Sequence, residues 1–230
     1  MIIRGFQTLT LLDYPGKLAA TVFTGNCNFR CRYCHNSGLV CEPEKEQEIG
    51  EDQVFGFLEK RKGILEGVCI TGGEPTLQEG LADFIRHVRE LGYAVKLDTN
   101  GYRPEVLYGL IEDGLLDYAA MDIKTDKERY AEICGVEGLD LSRIEESVRL
   151  IRESGMDYEF RTTVVREYYD EEAARRIGSW LEGSRRYALQ AFRDSEAVMC
   201  PGLHARSPEE MEHYAQILKG MIQEVLIRGE

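Results

Sequence analysis

Residues 27–36 read CNFRCRYCHN and bring three cysteines, Cys27, Cys31 and Cys34, into one short stretch. Cysteine thiolates hold soft metals and iron–sulfur clusters. A closed structural zinc site takes four protein ligands, whereas a site that does chemistry keeps one position open. No fourth cysteine follows at a matching interval, and Cys41, Cys69, Cys134 and Cys200 each stand alone. His35 adjoins Cys34, and neighbouring side chains seldom chelate one tetrahedral ion comfortably. Three thiolates on a four-iron cluster would leave one iron free for another ligand. A zinc knob completed by His35 or a distant residue is the alternative.

Three further segments carry groups that could meet a ligand. TGGEPT (71–76) sets Gly72 and Gly73, which free the backbone for close approach, before Glu74, which can accept from an ammonium. LDTNG (97–101) and MDIK (121–124) contribute Asp98 and Asp122, two carboxylates that would repel unless a cation sat between them. Read singly, these are an ordinary turn, a strand exit and a surface ion pair. Arg161 reads equally well as an inward strand residue paired with a carboxylate.

What must position these groups is a series of β-rich segments: 18–24, 67–71, 93–98, 118–124, 158–165 and 187–192. Helical patterns run between them. Leu81, Phe84, Ile85, Val88 and Leu91 fall on one helical face closed by Gly92. Ser142 to Glu145 reads as a capping box, with Gly155 near that helix's end, and Ser207-Pro208-Glu209-Glu210 reads as another. The second opens an apolar stripe through Met211, Tyr214, Ala215, Leu218, Ile222 and Val225. Alternation of strand and helix implies an α/β fold with a parallel sheet and outer helices. Six units are too few for a closed eight-stranded barrel, so a partial (β/α)6 barrel is expected, with residues 1–230 as a single domain. The motifs end strands, and strand ends are where such folds place their chemistry.

Composition narrows the field. The chain has 230 residues and a net charge of −13, from 41 acidic and 28 basic side chains. No Lys/Arg stripe is present, so nucleic acid is not an expected partner. No apolar run reaches membrane-spanning length, and the expectation is a cytoplasmic protein without a membrane partner. Seven cysteines without an export signal argue against a disulfide framework. The acidic run at 42–53 reads as a solvated loop leading into a helix. His87, His204 and His213 lack partners at ligand spacing and read as structural or surface residues.

CxxxCxxC with an aromatic residue, Tyr33, before the last cysteine resembles the signature of the radical S-adenosylmethionine (SAM) superfamily. The resemblance implies a [4Fe-4S] cluster on Cys27, Cys31 and Cys34, with SAM as the ligand of the open iron. It implies that TGGEPT binds the SAM amino group through Gly72, Gly73 and Glu74. DTNG and MDIK resemble the activating enzymes of glycyl radical proteins. By that resemblance Asp98, Thr99 and Asp122 help hold a monovalent cation, while Lys124 and Arg161 reach SAM. The SAM-contacting set extends to Tyr33, His35 and Asn100, and to Gln190, which stands where the pyruvate formate-lyase activating enzyme has a histidine. LLDYPGK, CNFRCRYCHN, TGGEPT and LDTNG make the chain similar to anaerobic ribonucleoside-triphosphate reductase activating proteins. The Asp13-Tyr14-Pro15-Gly16 turn precedes the first barrel strand in that family. Asn26 stands where relatives commonly have glycine, and asparagine also tolerates a left-handed backbone.

The implied function is abstraction of a glycine Cα hydrogen from a partner glycyl radical enzyme, with a flavodoxin- or ferredoxin-type reductant and no side-chain acid or base. A radical SAM enzyme acting on a small molecule is one alternative. A non-catalytic electron-transfer or zinc-binding module is another.

Overall fold

Residues 1–229 are described by a computed structural model. The chain opens with β1 (Ile3–Thr10) and β2 (Ala19–Thr24), then α1 (Ser37–Cys41) and α2 (Glu51–Glu59). Four strand–helix steps follow: β3 (Gly67–Gly72) and α3 (Leu81–Glu90), β4 (Ala94–Thr99) and α4 (Pro104–Glu112), β5 (Tyr118–Asp122) with α5 (Tyr130–Cys134) and α6 (Leu141–Glu153), and β6 (Asp157–Val164) with α7 (Glu171–Trp180). Then come β7 (Arg186–Ala191), α8 (Pro208–Leu218) and β8 (Glu224–Arg228).

All strands join one sheet in the order β1 to β8. Every neighbouring pair from β2 to β8 is parallel, and β1 alone runs antiparallel, against β2. The order is linear, so β1 and β8 are edges and the α/β barrel stays open between them. The six expected strands form, and two more flank them. β1 was hidden because its burial does not alternate cleanly along an exposed edge. β8 was hidden because Ile222 and Val225 extend the spacing of the preceding helix. The helix stops at Leu218, and Val225 lies in β8.

Helix starts follow local hydrogen bonding. The Ser207 hydroxyl accepts from Glu210 N–H and the Glu210 carboxylate accepts from Ser207 N–H, so the expected capping box forms. At α6 the cap is Asp140, not Ser142, because its carboxylate accepts from the Ser142 N–H and hydroxyl. The α3 face expected from sequence is buried through Leu81, Phe84, Ile85 and Val88, and Gly92 leaves the helix with φ 94°. The acidic run is exposed and leads into α2. His87 stacks on Phe55, while His204 and His213 pair with Glu167 and Glu171 at the surface.

The expected proline-primed turn forms one residue later than Asp13–Gly16, over Tyr14 to Lys17, closed by Lys17 N–H donating to the Tyr14 carbonyl at 3.2 Å, with Gly16 at φ 73°. It drives the Tyr14 ring into the lower end of the barrel, 6.0 Å from Tyr118. Among the described residues no helix is long and apolar enough to cross a membrane.

Candidate active site

At the other end of the barrel, where β2 to β6 finish, lies an open cavity of about 200 Å³. Its walls include Cys27, Cys31 and Cys34 with Tyr33 and His35 from the loop after β2. Gly72, Gly73 and Glu74 line it after β3, and Asp98, Thr99 and Asn100 after β4. Asp122, Lys124 and Arg161 complete the set from β5 and β6. Of the residues expected at the site only Gln190 is not among the lining residues; it is half-buried on β7.

The cysteine loop is braced by backbone hydrogen bonds. Asn26, the residue that opens it, has φ 68°, the one positive φ outside glycine among the described residues. Gly73 N–H donates to the Thr24 carbonyl (2.9 Å) and Glu74 N–H to the Asn26 carbonyl (2.8 Å). A Cβ on Gly73 would sit 1.9 Å from the Asn26 carbonyl oxygen. The glycine pair therefore serves first to let two chain segments touch. The Asn36 amide adds a bond to the Gly72 carbonyl at 3.0 Å.

Glu74 is fully buried and acts as the hub of this brace. One carboxylate oxygen accepts from Thr76 N–H (3.1 Å), the Thr76 hydroxyl (2.6 Å) and the Thr99 hydroxyl (2.7 Å); the other accepts from Asn100 N–H (2.7 Å). Burial pushes its carboxyl above the usual range, and these donors oppose the shift. Only the second oxygen keeps capacity for a further donor, such as a ligand ammonium.

The loop's far side is tied down by the segment after β7. Met199 N–H donates to the Cys34 carbonyl (3.0 Å), Cys200 N–H to the Arg32 carbonyl (2.9 Å) and the Ser37 hydroxyl to the Ala197 carbonyl (2.7 Å). His35 Nε2 lies 2.6 Å from the Arg193 carbonyl, so that nitrogen carries the proton, and its ring is 5.3 Å from Phe192. This strap crosses from the end of β7 to the cysteine loop.

The thiols differ in setting. Burial pushes Cys27 up to about 12, with Glu74 adding to the shift and the Phe29 N–H opposing it. Burial also raises Cys34, while a hydrogen bond from the buried Cys134 thiol lowers Cys31. Phe29 N–H and the Asn100 amide point at the Cys27 sulfur from 3.4 and 3.8 Å. A metal must supply the charge that ionises Cys27 and Cys34. Three thiols face one cavity, yet among the described residues no His, Cys, Asp or Glu group gathers tightly enough for a single ion.

The carboxylates meet protein cations. Arg161 NH1 reaches Asp98 at 3.1 Å and its Nε reaches Asp122 at 2.8 Å. Lys124 Nζ lies 2.9 Å from the second Asp122 oxygen, and the second Asp98 oxygen meets Lys96 Nζ. Burial alone would raise both carboxyls, but Arg161, with Lys96 at Asp98 and Lys124 at Asp122, outweighs it and holds both below their ordinary range. Lys96 went unnoticed in the sequence, although it stands two residues before Asp98 and so shares its face of β4. Thr71, the first residue of TGGEPT, also lines the cavity, as does Thr163, which carried no motif.

The family model of the radical SAM superfamily matches residues 21–177. A Methanocaldococcus jannaschii protein, provisionally named a glycyl-radical enzyme activating enzyme, is 32% identical over 233 residues, covering 99% of this chain and 95% of its own length. A Thermococcus kodakarensis protein provisionally named GTP 3′,8-cyclase is 31% identical over 131 residues, 56% of this chain and 42% of its own. Among solved structures, Streptococcus suis SuiB bound to the precursor peptide SuiA superposes with TM-score 0.71 at 13% identity. The match covers 91% of this chain and 48% of SuiB, so the chain spans about half of that protein. SuiB has also been solved with S-adenosylmethionine.

Proposed function

Because the chain belongs to the radical SAM superfamily, whose members use a [4Fe-4S] cluster and SAM, we propose that it activates a glycyl radical enzyme. The observation that carries this reading is the end-to-end similarity to the M. jannaschii protein of that provisional name. A match over 99% of the chain leaves little outside it, whereas the cyclase match stops near half.

Cys27, Cys31 and Cys34 would hold the cluster, and His35, tied to the strap, would steady the loop that carries them. Bound there, the cluster would supply one electron and SAM the sulfonium bond that it breaks. Lys124, with Arg161 behind it, presents positive charge for the SAM carboxylate. The open oxygen of Glu74 and the strand-end carbonyls offer acceptors for its ammonium. At this cavity His35 is bonded through Nε2 to the Arg193 carbonyl, and among the described residues no hydrogen-bonded Ser/His or Cys/His pair lies there; hydrogen abstraction needs none. The substrate on this reading is a glycine Cα of a protein partner, with anaerobic ribonucleoside-triphosphate reductase as the first candidate and a flavodoxin- or ferredoxin-type donor as reductant.

The test uses the reconstituted protein, SAM, reductant and a peptide deuterated at glycine Cα. Deuterium in 5′-deoxyadenosine is expected. A second reading, a small-molecule substrate, draws on the half-length similarity to GTP 3′,8-cyclases. Label delivered only by a metabolite, never by any glycyl protein or peptide, would establish that reading instead.

A further inference from the structure

Residues that the family resemblance would give to a monovalent cation are already neutralised by the protein. Lys96 is 1% exposed, and its Nζ contacts one oxygen of Asp98. Its other neighbours are the Cys69 sulfur, 3.7 Å away, and the face of the Tyr118 ring, 5.8 Å away. Arg161 takes the other oxygen of Asp98 and one of Asp122, and Lys124 takes the last. Each of the four carboxylate oxygens thus has a cationic partner. Thr99, the third implied ligand, donates its hydroxyl to Glu74 and accepts from Gly101 N–H.

Two negative side chains face three positive ones, so the group carries a surplus positive charge before any ion arrives. A metal ion placed between the aspartates would have to displace Lys96 or Arg161. Among the described residues Asp98 is the one carboxylate that Lys96 pairs with, and an unpaired buried ammonium is costly. The surplus charge also suits an incoming ligand carboxylate at Lys124, the rim member of the set, at 16% exposed.

We propose that the Lys96 ammonium, together with Arg161, replaces the monovalent cation in this chain, so that SAM binds without sodium or potassium. Lys96 is then a positioning residue: it holds Asp98, which holds Arg161, which holds Asp122 and through it Lys124. The inference rests on the SAM-binding reading of the site.

The test compares SAM affinity of the iron-reconstituted protein in potassium, sodium and tetramethylammonium chloride at one ionic strength. Wild type should bind equally in all three. Lys96→Ala leaves a space the size of an ion, so its affinity should fall at least about tenfold in tetramethylammonium and recover in potassium or sodium. Lys96→Met fills that space and should stay weak in every salt. A wild type that requires potassium or sodium, or a Lys96→Ala protein that matches wild type in tetramethylammonium, would overturn the proposal. Melting temperatures decide the matter with no SAM present. Potassium should raise that of Lys96→Ala and leave wild type unmoved, and a specific rise in wild type overturns it. If wild type binds no SAM in any salt, the SAM-binding reading has failed, while the melting comparison still decides whether Lys96 stands in for an ion. Should the variants not fold, the wild-type ion comparison remains.

Discussion

Both ends of this barrel bury carboxylates against arginine, and they do so to opposite effect. At the lower end Glu159 is fully buried, gripped through both oxygens by Arg228 at 2.6 Å and donated to by the Tyr118 hydroxyl at 3.0 Å. Arg186 donates in turn to Tyr118, and Tyr14, Tyr118, Arg186 and Arg228 line an open cleft of their own there. Every group there has a partner within the fold. At the upper end Arg161 is shared by two carboxylates, and with Lys96 and Lys124 this set holds one positive charge more than it holds negative, at a cavity whose wall also carries Glu74. Residue types alone do not separate a structural ion pair from a binding site. Surplus charge beside a cavity does.

The comparison can be broken hardest at the cysteine loop. Cys27→Ala, Cys31→Ala or Cys34→Ala should each abolish cluster loading and SAM cleavage, whereas Cys41→Ala and Cys200→Ala should keep their iron. Iron and sulfide counts after anaerobic reconstitution check this, and normal iron in Cys31→Ala would refute the ligand assignment.

Next come the two carboxylate sets. Glu159→Ala strands the Arg228 fork, so denaturant unfolding should show a loss of about 3 kcal/mol, with SAM affinity intact in the folded fraction. Asp122→Ala should do the reverse: iron content holds while SAM affinity falls by at least about tenfold, as expected for one lost charge-assisted contact chain. Equal effects of both variants on SAM binding would erase the distinction between the ends.

A finer test uses pH. Asp98 and Asp122 have folded values below the ordinary carboxylate value of about 3.9. Their contribution to stability is therefore complete above that value and is lost as pH falls through the folded one. The stability gap between wild type and Asp122→Asn should be constant from about pH 5 to 7 and narrow below about pH 4. A gap that widened on acidification would contradict the depressed values.

The smallest effect is expected at the loop entrance. Asn26→Gly should be nearly neutral, and Asn26→Ala should cost about 1–2 kcal/mol because a Cβ disfavours its left-handed backbone. Melting curves of the two variants are enough to check it.

The parallel strands were legible because buried strands are dense in Val, Ile, Leu and Ala, and the site was legible because its motifs sit where those strands end. β1 and β8 were not, since edge strands bury only part of one face and leave no firm alternation. Asp140 outcompeted Ser142 as a cap because its carboxylate takes two donors at once, a choice that Ser-x-x-Glu spacing does not reveal. Lys96 was read as part of a strand. A lysine inside an apolar strand, two residues from an aspartate, is a signal in itself, because only a buried counter-charge makes it tolerable. Gln190 shows the opposite limit: it pairs with Thr163 of the cavity wall, yet it is not itself among the residues that line the cavity.

The strap from Arg193 to Cys200 sets an energy scale for opening the site. Among the described residues four hydrogen bonds tie it to the cysteine loop, worth roughly 2–6 kcal/mol together in net terms, and the buried Val198 and the bonds from Arg193 to the Gly229 carbonyl add to that. The strand ladders contribute nothing to that sum, so the strap can lift while the sheet stays whole. Its amides at Met199 and Cys200 should therefore exchange with solvent by local opening, well before those of β4 or β5. On the timescale of such openings this wall of the barrel behaves as a door, and its latch is the peptide backbone of the very loop it covers.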